Sequence, residues 1–529
     1  MKNRILYILH FSLFINSILL PTALVARDYY VSVSGNDTQA GTLDKPLKTI
    51  QRAANLARAG DRVYVRGGVY KGTVLLKHSG NAKDGYIVFR NYKNEKPVIT
   101  RDDKNYKLET VKGEGVSYIK FQGFTLYKPI YEAIIFRDGG SHIEISNNEV
   151  YEQNANVPDG MRYGHAITVT TTKNRPMSHI IIKSNHIHHN HTGNTIGAGN
   201  YDEALTILGN VQYFQVTDNI VHDNDFIGID IIGHQRGNFS VFGMNKNGLV
   251  SRNILYNNSK KRRYASALYV DGAINLIVED NILYNNNGYG ISVSQESKGS
   301  TTEHVIVRNN LVLNTYQDSI FFGATGGKVL HSVFVHNSVQ NVIKERLVIF
   351  AKGEYNSFKN NYFGSINKNR RFFFDLNFLS KNWEINHNVY YTNSGFYAHI
   401  RRKSYHNFKT YKARSGFDKE SLLIEHPQFK DERLNLKKNS PLKNSAKALT
   451  KTLCAGKGTV IRVKNSDFFT DGFGVKNGDE IFVGIQKVRI LKVDYDKNEI
   501  TVDKNISWKK GEGVGYTYKD IGYKGDISF

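Results

Sequence analysis

Short segments in which apolar and polar residues alternate recur along most of this chain. Each repeat is an alternating apolar strand, then a polar pair, an asparagine and a second apolar pair, and the asparagine recurs at intervals of 37, 34, 34, 28 and 29 residues. Apolar residues at every second position predict strands, whereas helical repeats would show a period of 3.6 residues. The chain is therefore predicted to be a solenoid of stacked β-coils. The repeats begin at His142, His179, Tyr213, Asn247, Asn275 and His304.

The recurrent asparagine marks the same bend in every coil. A side-chain amide at a bend can bond the next coil and build a ladder along the solenoid axis. A run of histidines at positions 186, 188, 189 and 191 falls in one of these turns, and His222 falls at the same bend one coil later. Metal binding is one interpretation, but we favour histidines replacing asparagine in the ladder. The predicted ladder is Asn148, Asn185, Asn219, Asn253, Asn281 and Asn310, extended by Asn337 and Asn361.

A second alternating strand recurs once per coil, and its outward face forms two columns of side chains. Successive coils stack about 4.8 Å apart, so residues at matching positions are neighbours along the axis. The first predicted column is Ile135, Thr168, Thr206, Asp230, Tyr269, Ser292 and Phe321. The second, two residues further on, is Arg137, Thr170, Leu208, Ile232, Asp271, Ser294 and Gly323.

The two ends of the chain depart from the repeat. Apolar residues at helical spacing between Pro46 and Arg58 predict an amphipathic helix that closes the open end of the solenoid. From about residue 445 the pattern changes to antiparallel strands with turns at Asn477 and Asp496. We predict a signal peptide over 1–26, a capped solenoid over 27–440 and a small β-barrel or sandwich module over 441–529.

The opening of the solenoid carries a family resemblance. The segment DYYVSVSGNDTQAGTLDKPLKTIQRAANLARAGDRVYVRGG, from Asp28, resembles the N-terminal cap of secreted right-handed parallel β-helix (pectin-lyase-like) proteins, particularly the pectate lyases of polysaccharide lyase family nine. The chondroitinase B and alginate lyase group opens similarly. The resemblance covers roughly residues 28–400. It implies an all-β, right-handed parallel β-helix with a helical cap, and an active-site groove across the middle coils.

The net charge and the N-terminal residues limit the classes of partner that this chain could bind. The formal net charge is +23, which attracts polyanions. A basic start is followed by the mostly apolar stretch 5–20 and a polar start at Arg27, which is typical of a secretory signal peptide and too short for a membrane span. We predict a secreted or periplasmic monomer that acts on an acidic polysaccharide, with no nucleic acid partner. The single cysteine, Cys454, excludes a disulfide framework.

The middle coils carry the candidate chemistry. Asp230 should lie about one coil rise from Tyr269, with Asp271, Glu203 and His234 within about 10 Å. The predicted catalytic residues are Tyr269, His234, Asp230 and Asp271. The predicted substrate-binding residues are Arg137, His165, Lys260, Lys261, Arg262, Arg263 and Glu296. The predicted metal ligands, for Ca²⁺, are Asp202, Glu203, Asp230 and Asp271.

Three kinds of function fit this set. A lyase would remove the proton next to a uronate carboxylate with Tyr269 or His234 as base, while Ca²⁺ neutralises that carboxylate. A glycoside hydrolase needs two carboxylates about 5 to 9 Å apart, such as Asp230 with Asp271 or Glu203. A binding or structural protein needs neither. We expect a lyase acting on a uronate polysaccharide such as pectate, with the hydrolase second, and we expect Asp230 and Tyr269 to face solvent.

One departure from the resembling family bears on the reaction. Family-nine lyases resemble one another in an Asp-rich calcium cluster with a lysine base on a following coil, whereas the outward columns here contain no lysine. Mannuronan epimerases share the fold and abstract the same proton with tyrosine, histidine and aspartate close together. Asp230, His234 and Tyr269 are similar to such a set, so uronate epimerisation stays open.

Overall fold

The chain folds as a long solenoid with a small module attached to its C-terminal half. The computed structural model describes residues 26–101, 108–158, 163–191, 203–234, 243–261, 264–342, 346–366, 374–376, 381–400 and 402–523. The predicted signal peptide lies outside these residues except for Ala26. Neither helix within these ranges is long and apolar enough to cross a membrane.

Three parallel sheets run the length of the solenoid, and every complete coil contributes one strand to each. The first sheet consists of Asp28–Val31, Arg62–Val65, Ile87–Asn91, Ile119–Gln122, Gly140–Ser146, Met177–Lys183, Val211–Thr217, Asn245–Ser251, Ala273–Glu279, Thr301–Arg308, Val333–Val335, Ser357–Lys359 and Glu384–Asn386, with Lys328–Leu330 and Gly353–Glu354 beside them. The second consists of Val74–Leu76, Val111–Glu114, Ile134–Arg137, Ile167–Thr171, Leu205–Gly209, Ile229–Ile232, Ser266–Asp271, Tyr289–Ser294, Ile320–Phe322, Val348–Phe350, Phe374–Leu376, Ala398–Ile400 and the antiparallel Lys403–Tyr405. The third consists of Gly68–Lys71, Pro97–Thr100, Thr125–Tyr127, Glu149–Tyr151, His186–His188, Ile220–His222, Ile254–Tyr256, Ile282–Tyr284, Leu311–Leu313, Ser338–Asn341, Tyr362–Ser365, Val389–Thr392 and Leu422–Ile424.

The register of the second sheet confirms both predicted columns. Thr206 pairs with Asp230, and Asp230 pairs with Tyr269, while Ile232 pairs with Asp271. The residues that alternate with them, such as Ile229 and Leu268, are fully buried in the continuous apolar core. A period of two residues therefore assigned the faces of this sheet correctly, and the right-handed parallel β-helix is confirmed.

The asparagine ladder is also confirmed. The backbone N–H and side-chain amide of Asn219 both donate to Oδ1 of Asn253 at 3.0 Å, and the same pair of bonds repeats from Asn148 to Asn388. A second ladder, which the sequence analysis missed, runs at the other end of the third-sheet strands. Its members are Asn190, Asn224, Asn258 and Asn286.

Helices close both ends of the solenoid. The N-terminal helix, Ile50–Leu56, is shorter than the predicted 46–58 because Thr49 caps it by accepting from the Arg52 N–H and the chain turns extended at Ala57. A second helix, Phe408–Ser415, was not predicted; it begins after the cap Asn407 and ends at Gly416, whose φ is 83°. Its Tyr411 is buried and packs with the last coils.

The C-terminal module is antiparallel, as predicted. An isolated bridge between Thr452 and Val463 brings the first and last strands of its sheet together, so the sheet curls towards a barrel. Its apolar core is continuous with Ile306, Val333 and Val335 on the outer face of the first sheet. In sheet order the strands are Thr450–Lys451, Gly513–Tyr516, Glu480–Val483, Gln486–Asp494, Glu499–Trp508 and Gly456–Arg462.

Candidate active site

Acidic residues of four successive coils meet on the outward face of the second sheet. Asp230 lies between Thr206 and Tyr269 in the first column, and Asp271 lies two residues beyond Tyr269. The expectation that Asp230 and Tyr269 face solvent was wrong in part. The Asp230 side chain is only 3% exposed, because neighbouring coils stack on both sides of it, while Tyr269 is half-buried.

A partly buried histidine is held between two carboxylates. His165 Nδ1 lies 3.0 Å from Glu132 Oε1, and its Nε2 lies 2.8 Å from Glu203 Oε2. Thr168 and Thr206 donate to the same two carboxylates, at 2.9 and 3.3 Å. Burial acts to lower the pKa of His165, but the two carboxylates override it and raise the pKa well above its ordinary value. His165, predicted to bind substrate, is instead held between Glu132 and Glu203, which favour its protonated form.

Two buried oxygens of this cluster have no hydrogen-bond partner among the described residues. They are Glu203 Oε1 and Asp230 Oδ1, on neighbouring coils. Burial raises the pKa of Asp230 well above its ordinary value, and the Glu203 and Asp271 carboxylates raise it further. Burial and these neighbouring carboxylates therefore favour the protonated form of Asp230.

Beside the buried acids, a tyrosine and two carboxyl groups form a connected set open to solvent. The Tyr269 hydroxyl donates to Glu296 Oε1 at 2.6 Å, and the Glu296 N–H donates to Asp271 Oδ1 at 2.9 Å. Glu296 is exposed and Asp271 is half-buried. Burial and the neighbouring Glu296 carboxylate raise the pKa of Asp271 to about 7. The same surroundings raise the pKa of Tyr269 well above its ordinary value.

His234, a predicted catalytic residue, lies in a different environment. Its Nδ1 is 2.6 Å from Ser300 Oγ, and it lines a groove of about 570 Å³ together with Lys173 and Lys246. Burial and these two lysines lower its pKa. The chain leaves the second sheet after Ile232 and turns towards the first sheet, so His234 follows the corner of the coil and not the column of Asp230.

The predicted cationic substrate contacts are occupied by ion pairs. Arg137 stands in the Asp271 column but four coils away, where it pairs with Glu109 and Glu114 at 3.3 and 3.4 Å. Lys260 Nζ lies 2.6 Å from Asp223, and Lys261 Nζ lies 2.7 Å from Asp225. Arg262 and Arg263 lie outside the described residues.

The described residues do not by themselves make up the predicted calcium site. Ca²⁺ takes six to eight oxygens at about 2.3–2.6 Å. The unpartnered Glu203 and Asp230 oxygens are suitable donors. In the described part of the chain, however, three ligand atoms of acidic or histidine side chains converge within 4.8 Å only elsewhere, around His186 and His222. Asp202, the remaining predicted ligand, lies outside the described residues.

Burial of Asp230 makes stability depend on pH. A carboxyl whose folded pKa is raised holds a proton that the unfolded chain releases above about pH 4, so its contribution to stability falls as the pH rises. Asp230→Asn has no ionisable group at this position, so its stability should not fall with pH in this way. We expect the variant to unfold at a higher temperature than the wild type at about pH 8, with the gain shrinking towards about pH 4.

Thermal unfolding followed by circular dichroism over that pH range measures the effect. Asp218→Asn is the matched control, because Asp218 is exposed and paired with Arg252 at 2.6 Å. If the gain in unfolding temperature does not depend on pH, or if the control shows the same gain, then burial does not raise the pKa of Asp230.

Comparison with known proteins supports the resemblance over the first coils. Residues 29–204 match the family model of the Pel9A-like, right handed beta helix region. An 83-residue stretch is 41% identical to pectate lyase PEL9 of Emericella nidulans, spanning 15% of this chain and 20% of that lyase. The predicted similarity to family-nine proteins is thus confirmed. The matched region contains His165 and Glu203 but ends before Asp230, Tyr269, Asp271 and Glu296.

Longer matches exist. The chain is 28% identical over 436 residues to the uncharacterized protein YwoF of Bacillus subtilis (strain 168), covering 77% of this chain and 89% of that protein. Among solved structures, that of XylC with xylose superposes with a TM-score of 0.50 at 14% identity, covering 92% of this chain and 99% of XylC. At such identity this likeness shows the fold alone.

Proposed function

We propose that this chain is a polysaccharide-acting β-helix enzyme that hydrolyses glycosidic bonds with Asp271 and Glu296 as its pair of acids. One observation carries the proposal: a carboxyl whose pKa is raised to about 7 adjoins an exposed carboxylate that a tyrosine orients. Glycosidases need such a pair, one group protonated and the other ionised at working pH. The pair differs from the predicted Asp230 with Asp271 or Glu203, because Asp230 and Glu203 are buried.

Each residue then has a defined task. Asp271 donates its proton to the glycosidic oxygen as the bond to the anomeric carbon breaks. Glu296 either attacks that carbon or takes a proton from the attacking water, and the Tyr269 hydroxyl keeps Glu296 in position. Burial, the Glu296 carboxylate and the Glu203 carboxylate together raise the pKa of Asp271.

A lyase is the second candidate. The match of residues 29–204 to the Pel9A-like model favours it. Two observations place it second. Burial, Asp271 and Glu296 raise the pKa of Tyr269 and so keep its hydroxyl protonated, which disfavours the tyrosinate that would act as the base, and the acids around it would repel a uronate carboxylate. His234, the other predicted base, lies in the groove with Lys173 and Lys246.

The surroundings of the site suit an anionic polymer at some distance from the cleaved bond. Lys173 and Lys246 line the groove beside the corner after Ile232, and the formal charge of the chain is +23. Such a field raises the local concentration of a polyanion. We therefore keep an acidic polysaccharide as the proposed substrate and a secreted or periplasmic location as the proposed compartment.

Product analysis separates the two reactions. Purified enzyme is incubated with neutral and acidic polysaccharides, with and without a chelator, and both new reducing ends and unsaturated uronates are measured. The hydrolase predicts reducing ends without unsaturated products, and no effect of the chelator. Unsaturated products that vanish with the chelator would instead establish a calcium-dependent lyase, while no product on any polymer would refute both reactions for the panel used.

A further inference from the structure

A cluster of histidines and acids lies on the third sheet, away from the candidate active site. Adjacent strands bring its members together, since Glu149 pairs with His186, and His188 pairs with His222. The interpretation that these histidines replace asparagine in the ladder was wrong. Asn190 occupies that ladder, whereas the His188 ring stacks between Tyr151 and His222, at 5.1 and 5.0 Å. We call Glu149, His186, His188, His189, His222 and Asp223 the histidine cluster.

One chain of hydrogen bonds fixes the proton on His186. His222 Nδ1 lies 2.8 Å from Asp223 Oδ2, so this nitrogen carries the proton and donates it to the carboxylate. His222 Nε2 then has a lone pair, and it lies 2.8 Å from His186 Nε2, which must be the donor. The remaining nitrogen, His186 Nδ1, is left with a lone pair that faces Glu149 Oε1 at 3.8 Å.

A similar arrangement holds on His188. Its Nδ1 lies 2.9 Å from His189 Nδ1, so a single proton is shared between these two nitrogens. With His188 as the donor, its Nε2 presents a lone pair to Glu149 Oε1 at 3.5 Å. Thr125 donates to the other carboxylate oxygen, Glu149 Oε2, at 3.3 Å, which leaves Oε1 free to turn inwards.

With His188 donating to His189, the lone pairs of His186 Nδ1, His188 Nε2 and Glu149 Oε1 lie next to one another without a proton between them. The separations of 3.5 and 3.8 Å from Glu149 Oε1 match tetrahedral ligands, which lie about 3.4 Å apart when each is about 2.1 Å from zinc. All three ligand atoms lie within 4.8 Å of one another. Two imidazoles and a carboxylate suit zinc and its neighbours in the transition series, whereas Ca²⁺ prefers oxygen alone.

We propose that Glu149, His186 and His188 bind a divalent transition metal of the zinc class, with water in the fourth position. His222 and Asp223 form the outer support, since a metal-bound imidazole usually donates its other N–H to an acceptor. The stacked rings of Tyr151, His188 and His222 hold the ligands rigidly, and the metal would join two neighbouring coils. The proposal does not depend on the proposed hydrolase.

Zinc binding to the full chain, purified without a histidine tag, tests the site. Competition with a chromophoric chelator should show one Zn²⁺ per chain, and Co²⁺ should give the visible absorption of a tetrahedral complex. His186→Gln and His188→Gln are each expected to weaken binding by at least about 100-fold, and His222→Gln by about 10- to 100-fold. Glycosidic activity should not change.

His179→Gln is the matched control, because His179 is also a stacked, outward histidine, 4.5 Å from the His142 ring, but within the described residues its Nδ1 contacts the Ser178 hydroxyl at 3.1 Å and not an acid. It should bind zinc as the wild type does. If the ligand histidine variants lose their fold by circular dichroism, Glu149→Gln decides, because Glu149 is partly exposed. Absence of zinc binding to the wild type, or equal binding by the Glu149 variant, overturns the site.

Discussion

Glu296→Gln is expected to lower kcat on the cleaved polysaccharide by about 10²- to 10⁴-fold, with little change in KM. The amide keeps the size of the side chain and can still meet the Tyr269 hydroxyl, but it can neither attack the anomeric carbon nor accept a proton. Asp271→Asn should cause a similar loss on substrates with poor leaving groups, because the proton donor is gone. Initial rates of reducing-end release measure both.

The pH profile distinguishes the two acids. Because the pKa of Asp271 is raised to about 7, the donor is protonated below that pH, and activity should fall as the pH rises through about 7. Asp271→Asn should lose this alkaline limb, whereas Glu296→Gln should lose activity at every pH. Asp218 is an exposed acid directly after a first-sheet strand, and Asp218→Asn should leave the profile unchanged. Full activity in both site variants would place the chemistry elsewhere.

The fold was predictable because each coil repeats the same local physics. The alternation of apolar and polar residues showed which side chains of the second sheet point outwards. The register of Thr206, Asp230 and Tyr269 could therefore be predicted from the sequence. The asparagine at each bend was recognisable because its buried amide satisfies backbone groups of the preceding coil. The second ladder, through Asn224 and Asn258, repeats just as regularly. It was missed because the histidines beside it were interpreted as the ladder residues.

The site was less predictable, because a strand pattern gives the direction of a side chain and not what covers it. Asp230 points outwards as predicted, yet it is almost fully buried. His234 follows the same strand, but the corner after Ile232 turns it into another groove. Glu132 was missed as a member, although Glu132, His165 and Glu203 occupy equivalent positions two residues before paired strands. Reading that column for charge would have predicted the carboxylate–histidine–carboxylate set.

Arg308→Met is expected to lower the free energy of unfolding by about 3 to 5 kcal/mol. Arg308 is buried where the C-terminal module meets the first sheet, and its guanidinium lies 2.8 Å from both Glu279 of the neighbouring coil and Asp479 of the module. Methionine keeps the packing but leaves two buried carboxylates without this cation. Lys476 still pairs with Glu279 in the variant, whereas Asp479 loses the Arg308 cation. The main effect should therefore be weaker attachment of the module to the solenoid.

Urea unfolding and limited proteolysis together measure this loss of stability. In the Arg308 variant, the module should detach at a lower urea concentration than the one at which the solenoid unfolds. Arg252→Met is the matched control: Arg252 lies in the turn after a neighbouring first-sheet strand and pairs with Asp218, but both are exposed, so the expected cost is below about 1 kcal/mol. Adding Asp479→Asn to Arg308→Met should recover part of the stability, because one buried charge is then removed. If the two arginine variants lose equal amounts of stability, water must reach the ion pairs of Arg308. The apolar contacts around Ile306 and Val333 would then hold the module in place.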